Sequence, residues 1–226
     1  MDDRTILFVT CVSREELYAR CVSHIESLKV PEGYKIELFP IRGTKSIFEG
    51  YNKAVTHPAK YKVYLHQDCF IFYPDFISSF VSLFERNKEY AMLGFYGQNS
   101  LYHFIKDDAV GQLLCVGPHG GCHHIQCREE PGEITPIKVL DGYILITQYD
   151  LTWRSDILDG FHFYDYSQAL EFYKLGYKVG VINQAGMSPW TMHYIDHVMC
   201  VIEYERCRKI FESHYLDFIK REMGVE

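Results

Sequence analysis

Over residues 1–97 four apolar runs alternate with amphipathic stretches, and no other feature of the sequence constrains the fold as much. Residues 6–12 are almost unbroken apolar sequence rich in β-branched side chains, the pattern of a strand buried on both faces. Residues 14–28 favour a helix. Residues 34–41 alternate apolar and polar side chains as a second strand, closed by the loop Arg42-Gly43-Thr44-Lys45. Ser46-Ile47-Phe48-Glu49 has the capping-box pattern, in which each polar side chain satisfies a free backbone N–H, so a helix should run from there to residue 55, ahead of Pro58. Residues 61–72 and 90–96 read as further strands. Between them a helix capped by Asp75 sets Phe76, Phe80, Val81 and Phe84 on one face. This alternation predicts an α/β, Rossmann-like domain with a mostly parallel central sheet flanked by helices.

The second half is less regular. Residues 97–136 contain one clear apolar run, 113–116, among many Gly, His and Pro residues. Residues 139–147 and 178–182 read as strands, and 170–175 as a helix closed by Gly176. Residues 194–223 space Ile195, Val198, Ile202, Ile210, Phe211, Phe218 and Ile219 at helical intervals, a C-terminal amphipathic segment. Without a repeat or a linker, the 226 residues are expected to form one domain.

Charge and cysteine usage narrow the functional class. The formal net charge is -7 and no stretch gathers Lys and Arg, so nucleic acid is not an expected partner. No apolar stretch approaches the ~20 residues of a membrane span. The opening Met-Asp-Asp-Arg is acidic where a secretory signal is basic, and Cys11, Cys69, Cys115 and Cys200 sit in apolar runs. Reduced thiols and a cytoplasmic location are the expectation.

The most informative local feature is His66-Gln67-Asp68, a polar group near the end of an otherwise apolar strand. In open α/β sheets, ligands bind outside the carboxyl ends of the strands. Residues 10–14 and Asp141-Gly142 stand at comparable places. There is no G-x-G-x-x-G, and Gly43-Thr44-Lys45-Ser46 lacks the glycines of a phosphate-binding P-loop.

These residues carry a resemblance. A first strand without a glycine loop, then Ser46-Ile47-Phe48-Glu49-Gly50-Tyr51-Asn52-Lys53-Ala54, then Tyr64-Leu65-His66-Gln67-Asp68, resembles the GT-A glycosyltransferases. More narrowly the chain is similar to a small bacterial glycosyltransferase-like group named after a streptomycin-biosynthesis protein, in which His-Gln-Asp stands where others carry Asp-x-Asp. The likeness continues through Val139-Leu140-Asp141-Gly142 and Gly160-Phe161-His162-Phe163-Tyr164-Asp165 to Gly176-Tyr177-Lys178-Val179-Gly180-Val181.

The resemblance implies a nucleotide-sugar donor, UDP- or GDP-linked, and sugar transfer to a hydroxyl acceptor, inverting and in one step. It implies donor contacts from Thr10, Val12, Arg14, Asn52, His66, Asp68 and Asp141. Residues 1–97 would form the donor half and 98–193 the acceptor half, with 194–226 the helical segment. A divalent cation, Mn²⁺ or Mg²⁺, would offset the charge of the departing diphosphate, with Asp68 and His193 as ligands. Asp165 would be the base that takes the acceptor proton. The residues alone allow plainer readings: Asp68 as a turn residue, Asn52 as a solvated helical side chain, Asp165 as a helix N-cap with Gln168 three residues on, His193 as a surface histidine four residues before His197. His119, Cys122, His123, His124 and Cys127 suit Zn²⁺ by type but match no standard zinc spacing. A nucleotidyltransferase acting on sugar phosphates and a non-catalytic sugar-binding protein are the alternative functions.

Overall fold

The computed structural model describes residues 2–100, 108–117, 120–128, 130–184, 188–195 and 200–223. The chain runs β1 (Asp2–Val12), α1 (Glu15–Glu26), β2 (Lys35–Arg42), α2 (Ile47–Val55), β3 (Ala59–Leu65), β4 (Cys69–Ile71), α3 (Phe76–Arg86), β5 (Tyr90–Gly94), β6 (Tyr96–Gln98), β7 (Ala109–Val116), β8 (Cys122–Gln126), β9 (Ile134–Ile137), β10 (Val139–Leu140), β11 (Ile144–Thr147), α4 (Tyr164–Lys174), β12 (Lys178–Ile182), β13 (Thr191–Tyr194) and α5 (Val201–Met223). The expected strands and helices of the first half are present. The stretch read as irregular, 97–136, contributes strands of its own.

Seven strands form the larger sheet, in the order β2-β1-β3-β11-β5-β12-β9. It is mixed, not mostly parallel. β1 runs parallel to β2 and β3, and β12 to β5, but β11 is antiparallel to both β3 and β5, and β9 to β12. The reason lies in how β11 enters: the chain arrives at the carboxyl edge of β3, where Ile144 pairs with Leu65, and a strand entering from that edge must run the other way. The smaller sheet has the order β10-β6-β7-β13-β4, with β8 on β7.

Alternate side chains of β1 serve two cores. Leu7 and Val9 join Phe48, Tyr51, Trp153, Phe172, Phe211 and Tyr215 beneath α2, α4 and α5. Ile6 and Phe8 face the opposite side with Cys21 and Ile25 of α1 and Phe76, Phe80 and Phe84 of α3. A strand sandwiched between two helical layers has no solvent face, which explains its unbroken apolar sequence.

Helix ends follow local chemistry only in part. Ser46 Oγ accepts the Glu49 N–H at 3.1 Å, as the capping pattern requires. Asp75 makes no side-chain cap; its carboxylate pairs with Lys29 at 3.1 Å instead. Gly176, at φ +82°, follows α4 in a left-handed conformation that a side chain would resist. The C-terminal helix begins at Val201, and residues 191–194 form β13 between β7 and β4. Among the described residues no helix is long and apolar enough to cross a membrane.

Among the described strands the chain changes sheet seven times, and three of these crossings are joined to one another by backbone hydrogen bonds: residues 66–68 between β3 and β4, Phe95 between β5 and β6, and residues 141–143 between β10 and β11. The strands read as continuous over 61–72, 90–96 and 139–147 are each broken at that crossing. Backbone groups at these crossings bond to one another and to β7 and β13, and the polar side chains at two of them stand on the floor of a cavity.

Candidate active site

The cavity has a volume of about 1060 Å³ and opens over this junction. Its wall includes His66, Gln67, Asp68, Asp141, His193 and Asp165, drawn together from distant parts of the sequence. Val12, the last residue of β1, and Arg14, just beyond it, also line it, whereas Thr10 is buried within β1 and Asn52 stands outside the wall.

At the first crossing the His66 N–H binds the Tyr143 carbonyl at 3.0 Å, and the Tyr194 N–H binds that of Asp68 at 2.8 Å, which fixes the turn. Strand β13 lies antiparallel to β4 with His193 opposite Cys69. His193 is therefore a buried strand residue and not a surface histidine; its ring stacks on Tyr143 with centroids 5.6 Å apart. His193 Nε2 lies 3.4 Å from Asp68 Oδ1 and 3.3 Å from His66 Nδ1. Burial opposes ionisation of Asp68, but the His193 hydrogen bond and the two imidazoles outweigh it and hold the carboxyl below its usual range.

Donor atoms of His66, Asp68, Cys69 and His193 all lie within 4.8 Å of one another. Neighbouring ligands of an ion bound at ~2.1 Å are about 3.0 Å apart in octahedral and about 3.4 Å apart in tetrahedral geometry, so the His66–His193 and His193–Asp68 contacts have nearly the spacing of a cation's coordination shell. Cys69 is the poorest candidate: its thiol donates to the Tyr143 carbonyl at 3.2 Å, and burial pushes it well above the usual thiol range, away from the thiolate a metal takes. Among the described residues Cys122, His123, His124 and Cys127 form no such group, and His124 Nε2 meets Gln112 Oε1 at 3.1 Å. His119 and His197 lie outside the described residues. Asp159, Glu203 and Cys207 also lie close together, but Arg206 bridges the two carboxylates at 2.6 Å each.

Gln67 points the other way. Its Oε1 accepts the N–H groups of Ser13 at 2.9 Å and Arg14 at 2.8 Å, and its amide donates to Ser13 Oγ at 2.9 Å. The loop after β1 is thus clamped to the crossing by one amide. Asn52 does comparable work elsewhere: it holds both backbone groups of Trp153 at 2.8 Å and Ser155 Oγ at 3.1 Å, joining α2 to the segment after β11.

On the opposite wall, α4 starts after Phe163, whose φ of 63° is left-handed and unusual for a bulky side chain. Phe163 occupies the N-cap position, so Asp165 is not the cap; it sits in the first turn, where Oδ1 accepts the Tyr166 N–H at 2.9 Å. Gln168 donates to the Leu151 carbonyl and closes no capping box. Part of Asp165 is open to the cavity while protein crowds its other sides. That burial, and then the negative charge of Asp141, push its carboxyl up to about 7. Burial likewise raises Asp141, which accepts the Tyr143 N–H at 3.1 Å. Tyr164, which sequence reasoning passed over, sends its hydroxyl to within 2.5 Å of His66 Nε2.

Comparison with known proteins fits this architecture. Residues 7–215 match the sequence profile of the family described as glycosyltransferase-like. The chain belongs to this family. No curated protein matches the sequence. Among solved structures, this glycosyltransferase-like chain is similar to GalNAc-T7 with UDP, GalNAc and Mn²⁺, at 9% identity and a TM-score of 0.59, covering 99% of this chain and 51% of that one. It is similar to the mannosyltransferase PcManGT from Pyrobaculum calidifontis in complex with GDP-Man and Mn²⁺, at 10% identity and TM-score 0.55, covering 99% and 65%. It is also similar to S. aureus TarS 1-349 in complex with UDP-GlcNAc, at 8% identity and TM-score 0.60, covering 99% and 68%. The chain spans about half to two thirds of the length of these proteins, and the likeness establishes the GT-A fold.

Proposed function

We propose that the protein transfers a sugar from a UDP- or GDP-linked donor to a hydroxyl acceptor, by a single inverting displacement. The observation that carries the reading is one cavity with two chemistries in it: a His-Asp-His group spaced for a cation, and a carboxylate raised to about 7. A base is most effective when its pKa lies near the working pH, and Asp165 meets that condition. It takes the proton of the acceptor hydroxyl as the new bond forms.

His66, Asp68 and His193 would hold a divalent cation, Mn²⁺ or Mg²⁺, which when bound supplies positive charge against the departing nucleoside diphosphate. Two imidazoles favour Mn²⁺ of the two, since Mg²⁺ prefers oxygen. Val12 and Arg14, on either side of Ser13 where Gln67 clamps the chain, frame the nucleotide on the donor half, residues 1–97. The acceptor half, 98–193, brings Asp141 and Asp165 to the cavity. Within the family we assign the chain to the streptomycin-named group on its His66-Gln67-Asp68 motif. A cytoplasmic location accords with eight cysteines, none in a disulfide.

The test is donor turnover. The purified protein, incubated with UDP- and GDP-sugars and Mn²⁺, should release UDP or GDP from at least one donor, and Asp68→Ala should abolish the release. Activity only with nucleoside triphosphates and sugar phosphates would replace this reading with nucleotidyl transfer.

A further inference from the structure

We propose that Tyr164 is a positioning residue for the cation group: its phenolic oxygen accepts the Nε2–H of His66 and so turns the Nδ1 lone pair of that imidazole toward Asp68 and His193. The role rests on the cation reading above and adds to it a residue that the resemblance leaves without a role. A neutral imidazole has one donor nitrogen and one acceptor nitrogen, so the partner of one fixes the role of the other. His193 Nε2 faces both the Asp68 carboxylate, at 3.4 Å, and His66 Nδ1, at 3.3 Å. Facing a carboxylate, His193 Nε2 is the donor, and His66 Nδ1 beside it is the acceptor. The His66 proton then lies on Nε2, 2.5 Å from the Tyr164 oxygen.

The surroundings hold Tyr164 in this place. Its ring is buried against Phe48, Tyr51 and Trp153, with centroids 5.9 to 6.4 Å away. A Cβ at position 142 would collide with its hydroxyl, so the glycine of Asp141-Gly142 is what admits it. The left-handed Phe163 turns the chain immediately before it. Because Tyr164 and Asp165 are consecutive in one helical turn, the same element carries the base and orients a cation ligand. Histidines that bind metals commonly have their second nitrogen held this way, and losing that partner costs ~10–100-fold in metal affinity.

Mn²⁺ titration followed by the electron paramagnetic resonance of the free ion tests this without turnover. Tyr164→Phe should bind Mn²⁺ ~10–100-fold more weakly than wild type, with an unfolding midpoint close to wild type, while His66→Ala loses binding. Mn²⁺ affinity unchanged in Tyr164→Phe but lost in His66→Ala overturns the role of Tyr164 and leaves the cation site standing. A wild-type protein that binds no Mn²⁺, or a His66→Ala variant that binds it as wild type does, overturns the site and this role together. On metal-free wild-type protein, long-range ¹⁵N–¹H spectra should show His66 as the Nε2–H tautomer; Nδ1–H overturns the proposal whether or not any variant folds.

Discussion

His66 Nδ1 lies 3.3 Å from His193 Nε2 across 127 residues of sequence. The contact exists because the chain leaves the larger sheet at residues 66–68, enters the smaller one as β4, and β4 pairs with the strand that carries His193. Two sheets meeting at one level thereby assemble a group that no local segment contains.

Removing His193 should therefore disable the group. In His193→Ala, stabilisation of the protein by Mn²⁺ in a thermal-unfolding assay should disappear, and transfer at fixed Mn²⁺ should fall more than ~100-fold, beyond the usual cost of losing only a ligand's supporting partner. Full Mn²⁺ stabilisation in the variant would place the cation elsewhere.

Asp165 makes a prediction about activity and pH. If it is the base, kcat/KM rises with pH and levels off above about 7, as the carboxyl loses its proton. Asp165→Asn should lower kcat by roughly 10²–10⁴ and leave donor affinity nearly unchanged. A variant that keeps its turnover removes Asp165 from the chemistry.

The same residue makes an opposite prediction about stability. A carboxyl with an ordinary value of 3.8 raised to about 7 in the folded state binds its proton more tightly when folded. Its contribution to stability is whole below about 3.8 and is lost as pH rises through about 7. Asp165→Asn has no such loss, so the variant should gain stability relative to wild type from pH 4 to pH 7, with the difference level above that. Denaturant unfolding across this range measures it; parallel stability curves would show a carboxyl that titrates normally.

Asn52 distinguishes support from donor contact. Its amide satisfies both backbone groups of Trp153, so Asn52→Ala should cost about 1–3 kcal/mol in urea unfolding, the penalty for buried groups left without partners. Donor KM should change little. A large rise in KM at wild-type stability would return Asn52 to the donor site.

The parts of this fold that local pattern determines were readable in the sequence. The apolar runs gave the strands because β1 and β3 are covered on both faces, and Ser46 marked the start of α2 because its oxygen does bond to Glu49. His66-Gln67-Asp68 stood out because a buried strand ends in polar side chains only where the chain departs from the sheet. Strand direction was not readable: β11 is antiparallel because of where its connection enters, which leaves no trace in periodicity. Asp165 looked like a cap because capping patterns assume ordinary backbone at the start of a helix, and Phe163 is left-handed. Tyr164 lay in the segment 160–165 that carried the resemblance but had no role there, since a tyrosine amid aromatic residues reads as core. His193 also allowed a reading as a surface histidine, because nothing local in residues 191–194 shows that β4 and β7 pair with them.

The central claim is that this cavity binds a nucleotide sugar with the help of a divalent cation. Titration calorimetry of the protein with a panel of UDP- and GDP-sugars, with and without Mn²⁺, tests it most directly. The account predicts that at least one donor binds, that Mn²⁺ strengthens its binding, and that Asp68→Ala removes the Mn²⁺ effect. Absence of binding by every donor in the presence of Mn²⁺, or binding indifferent to both Mn²⁺ and Asp68, would contradict it.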